Sequence, residues 1–182
     1  MKKLTFIIIL IGAAMAGVLV NWQYLNYKNK NLSAVSDFEE CAAKGNQILE
    51  CYPRQCRTPD GKMFVEDIGN ELEKTDLIRV EKPRPKDLIA SPLEIRGEAR
   101  GFWFFEASFP VRLLDENGQE LEINPPYIQT KEEWMTENFV QFQAIIEFEK
   151  PATKKGTLIL QKDNPSGLPE NADELIIPVV FY

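Results

Sequence analysis

Hydrophobic residues are distributed along this chain in three regimes. Leu4 to Val20 is a nearly continuous apolar run of about seventeen residues, without charge and with Thr5 as its main polar interruption, close to the lower limit for a helix crossing the hydrocarbon layer. Asn21 to Asp37 is polar, rich in Asn and Lys and without hydrophobic period, as expected of a spacer. From about Leu77 the pattern becomes short apolar or alternating runs rich in Val, Ile and Phe: Leu77–Val80, Leu93–Ala99, Phe104–Leu114, Leu121–Ile123, Phe139–Phe148, Gly156–Lys162 and Leu175–Phe181. Each predicts a strand. Lys82-Pro83-Arg84-Pro85 is excluded from a sheet interior because proline lacks the ladder donor, so it predicts an extended edge or connector. Asp115-Glu116-Asn117-Gly118 holds the Asn-Gly hairpin signal, and the remaining ligand positions of a calcium loop are missing around it. Asp163-Asn164-Pro165-Ser166-Gly167 predicts a turn between the last two strands. Short strands at this spacing, with no long helix-period segment and no internal repeat, predict an antiparallel sandwich of about seven strands, so the chain is mainly β.

The first regime predicts topology. Lys2 and Lys3 precede the apolar run, and Trp22, Tyr24 and Tyr27 follow it where interfacial aromatics sit. Lysines retained on the cytoplasmic side place the C-terminal bulk outside. The expected organisation is a signal-anchor or transmembrane helix over 1–21, a spacer over 22–36, a small cysteine-containing module over 37–70 and a β-sandwich over 77–182. The chain is thus expected at the cell membrane as a single-pass protein with an extracytoplasmic C-terminal domain. The alternative is a secreted protein cleaved at Ala14-Met15-Ala16, an A-x-A-like site that the apolar run passes straight through.

Composition narrows the function classes. Hydrophobic residues at 44% against 27% charged residues give the balance of a chain able to bury a core. Of 21 basic residues two precede the apolar run, leaving 19 against 28 acidic ones, a balance of −9. That sign opposes nucleic acid or anionic lipid headgroups as main partner, since both require phosphate neutralisation by Lys and Arg. Histidine is absent, which removes imidazole triads and His-containing zinc sites.

Cys41, Cys51 and Cys56 fall together. Three thiolates without histidine do not close a structural zinc site, and no C-x-x-C redox spacing is present. In an oxidising compartment a disulfide is expected. Cys41 with Cys56 closes a loop of about fifteen residues, worth roughly 3 kcal/mol; a Cys41 to Cys51 pairing is the alternative, and Cys51 is otherwise a buried thiol or an intermolecular link. Ser36 and Asp37 are placed to cap a short helix carrying Cys41, with Gly45 ending it. Pro59-Asp60-Gly61 marks a turn in the following segment.

The stretch from Ser91-Pro92-Leu93-Glu94-Ile95-Arg96-Gly97-Glu98-Ala99-Arg100-Gly101 through Trp103-Phe104-Phe105-Glu106-Ala107-Ser108-Phe109-Pro110-Val111, with Trp134-Met135-Thr136, Lys162 to Gly167 and the closing Ile176-Ile177-Pro178-Val179-Val180-Phe181, resembles the immunoglobulin-like domain of bacterial spore-germination proteins, the second GerM-associated domain. The resemblance spans about Leu77 to Tyr182, and the S-P-L-x-I-x-G-x-A-x-G element is its most specific part. It implies an immunoglobulin-like sandwich at the cell surface or envelope, with no catalytic residues to carry over. Cys41 to Phe64 resembles a short module that accompanies such domains in small exported bacterial proteins.

No catalytic, metal or cofactor constellation emerges from the sequence. Phe102-Trp103-Phe104-Phe105 beside Glu106 is the most suggestive run; strand alternation sends about half of it into a core, and exposed aromatics would stack on sugars or partner side chains. Trp103 and Trp134, each close to a turn, are the expected members of a ligand or partner surface. The leading expectation is a non-catalytic interaction or adhesion domain contacting an envelope protein; a module that binds cell-wall glycan through exposed tryptophans is the alternative. A glycan hydrolase is the least favoured reading, since it needs two of the many carboxylates, such as Glu106, Glu147, Glu149 and Asp163, to converge.

Overall fold

A computed structural model describes residues 17–25 and 35–182. Residues 17–25 are helical, but most of the expected membrane span, and most of the spacer after it, lies outside the described residues. Among those described, no helix is long and apolar enough to cross a membrane. The chain divides into two compact units, Met1–Glu66 and Asp67–Tyr182.

In the first unit, helix α1 (Phe38–Ala43) forms as its caps dictate. The Asp37 carboxylate accepts the Glu40 N–H at 2.8 Å, and the Glu40 carboxylate reaches back to the Ser36 N–H at 2.9 Å, so backbone donors of the first turn are answered from both directions. Gly45, at φ +71°, ends the helix by donating its N–H to the Ala42 carbonyl. Beside it lies an antiparallel sheet in the order β1-β2-β3, made of Gln47–Leu49, Gln55–Arg57 and Met63–Val65. Periodicity does not predict these strands, because three residues are too few to show a period of two. The expected turn over Pro59-Asp60-Gly61 joins β2 to β3, with the Gly61 N–H donating to Thr58 O.

Cys56 on central β2 bonds to Cys41 of α1 with Cα atoms 6.0 Å apart, so the disulfide joins helix to sheet. Cys51 is a free, exposed thiol, which settles the pairing and rules out the buried position considered for it. Phe38, Cys41 and Cys56 are the buried centre of this unit, supported by Val35, Ala42, Ile48 and Phe64. A core this small gains too little from burial to stand without the covalent link.

The second unit is a sandwich. One sheet runs β4-β6-β10-β8, from Ile78–Lys82, Leu93–Arg100, Phe139–Phe148 and Ile123–Asn124; the other runs β5-β12-β11-β7-β9, from Leu88–Ile89, Glu174–Phe181, Lys155–Gln161, Ser108–Asp115 and Tyr127–Gln129. All pairings are antiparallel except that of β5 with β12. Sequence periodicity predicts about seven strands; the two sheets contain four and five, because β5 and β9, only two and three residues long, show no period, while the predicted Leu121–Ile123 forms as β8. Lys82-Pro83 stands at the end of edge strand β4, as the prolines require.

The core follows from alternation. Along β6, Leu93, Ile95 and Ala99 are buried while the charged residues between them are not. They meet Phe109, Val111 and Leu113 of β7, Leu158 and Leu160 of β11, and Leu175, Ile177 and Val179 of β12. Each such side chain contributes about 1.5–3 kcal/mol by leaving water. The outward face of the four-stranded sheet bears the pairs Arg79–Glu98, Lys82–Glu94 and Arg96–Glu81, which at this exposure contribute at most about 1 kcal/mol each.

Upstream of Leu77, the amide of Asn70 behaves as a strand residue. Its Nδ2 donates to the Glu174 carbonyl at 3.0 Å and its Oδ1 accepts the Ile176 N–H at 2.7 Å, which ties the segment leading into the one-turn helix α2 (Glu71–Lys74) to β12.

The expected hairpin after β7 forms over Asp115 to Gln119, with Gly118 at φ +78°. The Asp115 carboxylate accepts the N–H groups of Gln119 and Asn117 at 2.9 and 2.8 Å. These bonds, that to Gln119 foremost, hold its pKa below the ordinary aspartate value. A depressed folded-state pKa stabilises above the unfolded value of about 4, and the contribution is lost as pH falls through the lower folded value. Asp115→Ala is therefore expected to destabilise the full chain near neutrality and to shrink its stability loss, relative to the parent, as pH falls below the unfolded aspartate value of about 4. Urea unfolding at several pH values checks both.

Candidate functional site

The loops joining β6 to β7, β9 to β10 and β11 to β12 meet at one end of the sandwich. A 3₁₀ turn, Gly101–Trp103, follows β6. Only glycine fits at its start, because a Cβ on Gly101 would stand 2.0 Å from the Thr136 carbonyl oxygen and 2.2 Å from that of Trp134. The turn breaks the period of two, so the aromatic run does not continue β7 as predicted from Phe104; the strand begins at Ser108.

Trp103, expected at the surface, is fully buried at 0% exposure. The turn aims it and Phe104 inward while Phe102 and Phe105 point out, so half of the run enters the core as alternation predicts, but in a different order. The Trp103 carbonyl accepts the Asp163 N–H at 3.0 Å; its indole Nε1 has no hydrogen-bond partner among the described residues. Inside, Phe104, Phe109 and Phe142 pack edge to face, with centroids 5.1 and 5.2 Å apart.

Trp134, the second expected surface residue, is half-buried against the core and meets the Phe105 ring edge to face at 6.4 Å. Around it stand Phe102 at 49% exposure, Phe105 at 41% and Met135 at 75%. The Lys162 ammonium lies 5.9 Å from the centre of the Phe102 ring. Phe105 is presented by a tight turn in which Glu106 (φ 49°) and Ala107 (φ 60°) both adopt left-handed backbone, closed by reciprocal bonds between Phe105 and Ser108. That geometry suits hairpin twist but favours Gly or Asn, and each non-glycine residue held there costs about 1–3 kcal/mol. Strain is thus concentrated where the aromatic tip projects.

The loops of this end carry mainly acidic charge, with Lys131 and Lys162 as basic exceptions. Glu106, Glu133, Glu137 and Glu170 are exposed, and Glu133 also accepts the Met135 N–H at 3.0 Å, fixing that loop. The end therefore offers an apolar patch within a mainly acidic rim. Phe102, Phe105 and Met135 were not separable from core residues by pattern; the one signal in the sequence is Gly101, which interrupts the alternation just before them.

At the other end of the sandwich, Glu147 and Glu149 line an open groove of about 730 Å³ with Glu120 and Glu122. Arg112 donates to Glu120 at 3.0 and 2.8 Å and holds its pKa below the usual glutamate range, the direction opposite to that of a general acid. Glu106 lies at the aromatic tip instead, and the Asp163 backbone belongs to the turn after β11, so the four candidate carboxylates are divided between the two ends, with Glu147 and Glu149 sharing one groove. Among the described residues no group of three acidic or cysteine side chains is placed to hold a metal ion.

No curated protein and no solved structure matches the chain. The sequence profile of the immunoglobulin-like domain of bacterial spore germination matches residues 77–167, which take in β4 through β11 and the whole aromatic end except the last part of the β11–β12 loop. With the S-P-L-x-I-x-G-x-A-x-G strand and the aromatic turn inside the matched region, and β12 completing the second sheet just beyond it, the chain belongs to this immunoglobulin-like domain family of bacterial spore germination.

Proposed function

We propose that this is a non-catalytic binding protein of the bacterial envelope, held at the membrane by its N-terminal apolar segment, which engages an envelope protein through the aromatic end of its sandwich. The observation that carries the reading is the exposed set Phe102, Phe105 and Met135 around Trp134, with Phe105 presented by a strained turn. Exposed aromatics and methionine are the residues that protein interfaces enrich, and the acidic rim favours a partner whose contact surface is basic around an apolar centre. Burial of Trp103 removes one of the two tryptophans on which a glycan would stack, which weighs against the carbohydrate reading.

A photo-crosslinking residue in place of Met135, in the cell that makes the protein, is expected to give discrete protein adducts that disappear with Phe105→Ser. The same residue at Asn117, at the other end of β7, is expected to give none. Equal adducts from both positions would reject the aromatic end as the contact surface. Retention of the full chain on isolated cell-wall glycan, lost with Trp134→Ala, would replace the protein partner by a carbohydrate one.

A further inference from the structure

The side of the sandwich where the chain passes from one sheet to the other carries a second binding feature, independent of the aromatic end. Strand β10 is paired with β6 along residues 139–146, whereas its other edge meets β8 only at Glu147 and Phe148. The facing of each backbone group follows from parity. The Gln141 N–H donates to the Glu132 carboxylate at 3.2 Å, and the Gln141 carbonyl accepts from the Thr130 hydroxyl at 2.8 Å. Gln141 therefore turns its backbone away from β6, and in an antiparallel ladder so does every second residue: Gln143, Ile145 and Glu147. Phe148, of the other parity, directs its N–H to Ser91 just before β6, as this requires.

Gln141 is thus served by Thr130 and Glu132, and Glu147 by β8. Between them, the N–H and C=O of Gln143 and Ile145 face a groove of about 410 Å³ lined by Gln129, Thr130, Lys131, Glu132, Gln143 and Ile145, and no strand of the described residues pairs with them. The fold treats this edge as a hydrogen-bonding rail, completes it at both ends with its own groups, and leaves the two central rungs open. Ile145, 58% exposed, adds an apolar surface on the outward face.

We propose that this part of β10 accepts a short extended segment of a separate polypeptide as an added antiparallel strand. The chemistry selects that occupant. Two donor and acceptor pairs two residues apart, about 6.8 Å along the strand, match the backbone of an extended peptide: three consecutive residues, the first and third each exchanging both bonds, satisfy all four groups. A second copy pairing through its own β10 does not fit, because the positions beside Gln141 and Glu147 are already filled in each copy by Glu132 and β8.

The test is amide hydrogen exchange on the full chain, read at single residues, with the probe peptide acetyl-Thr-Val-Thr-Val-Thr-amide at millimolar concentration and the same peptide N-methylated at every residue. Without probe, Gln143 and Ile145 are expected to exchange at least about a hundredfold faster than Phe142 and Ala144, which face β6. The probe is expected to slow Gln143 and Ile145 about tenfold or more, and the N-methylated peptide to leave them unchanged. Slow exchange of Gln143 and Ile145 before any addition would mean that the edge is already covered and would overturn the proposal. Failure of the probe to slow them, or equal slowing by the N-methylated peptide, would overturn it as well.

Discussion

Replacing Trp103 by alanine is expected to lower the stability of the full chain by about 3–5 kcal/mol, the range for deleting a large aromatic side chain from a packed core. The residue is at 0% exposure among the largest fully buried side chains, at the point where the aromatic turn joins the sandwich, so collapse around the void would have to displace both. Trp103→Phe is the informative companion. An indole N–H buried without a partner carries a desolvation cost of about 1–3 kcal/mol, which phenylalanine removes while keeping much of the ring. Its net effect is expected to be no more than about 1.5 kcal/mol. Urea unfolding of the two variants beside the parent checks this. Equal damage from both would show that Nε1 is bonded in solution and that its hydrogen bond, rather than ring packing, secures the turn.

Removal of the Cys41–Cys56 disulfide is expected to cost about 3 kcal/mol, and the loss should stay local. The unit that it crosslinks has three buried residues at its centre, whereas the sandwich has its own continuous core. Cys41→Ser with Cys56→Ser, or reduction of the parent, is expected to abolish amide protection over Phe38–Val65 while β6, β10, β11 and β12 keep theirs. Cys51→Ser should change neither region, since that thiol is exposed and, among the described residues, donates to the carbonyls of Leu49 and Pro53. Loss of protection across the sandwich in the disulfide variant would contradict the independence of the two cores. Limited proteolysis under reducing and non-reducing conditions gives the same reading by a second route.

Much of the second unit was legible in the amino-acid pattern. Strand β10 spans Phe139–Phe148 as predicted, and β6, β11 and β12 lie within one residue of their expected bounds at each end. These strands are long enough for alternation to register several times, and each buries one face in the core, which enforces the period. The short strands β5 and β9 escaped notice because two or three residues hold no period, and β8 forms two residues later than the predicted Leu121–Ile123; all three exist through pairing with distant partners. The same holds for Asn70, whose side chain takes a strand's role only because β12 lies beside it. The α1 caps and the hairpin at Asp115 were readable because a single side chain bonding to its own neighbourhood determines them. The candidate site was half legible. The aromatic run and Trp134 stood out by composition, but which rings face outward depended on the 3₁₀ turn at Gly101.

What the sequence by itself determined is therefore the local and the periodic: an apolar N-terminal run, a capped helix carrying Cys41, turns at glycine and proline, and alternating strands sufficient for a sandwich. Tertiary structure alone decided that Cys41 pairs with Cys56, that Trp103 is buried while Phe102, Phe105 and Met135 are left to solvent, and that two rungs of β10 stand unpaired. The physical reason is common to all three. Local preference acts over a few residues and is written in their order, whereas burial and pairing depend on what the rest of the chain brings alongside.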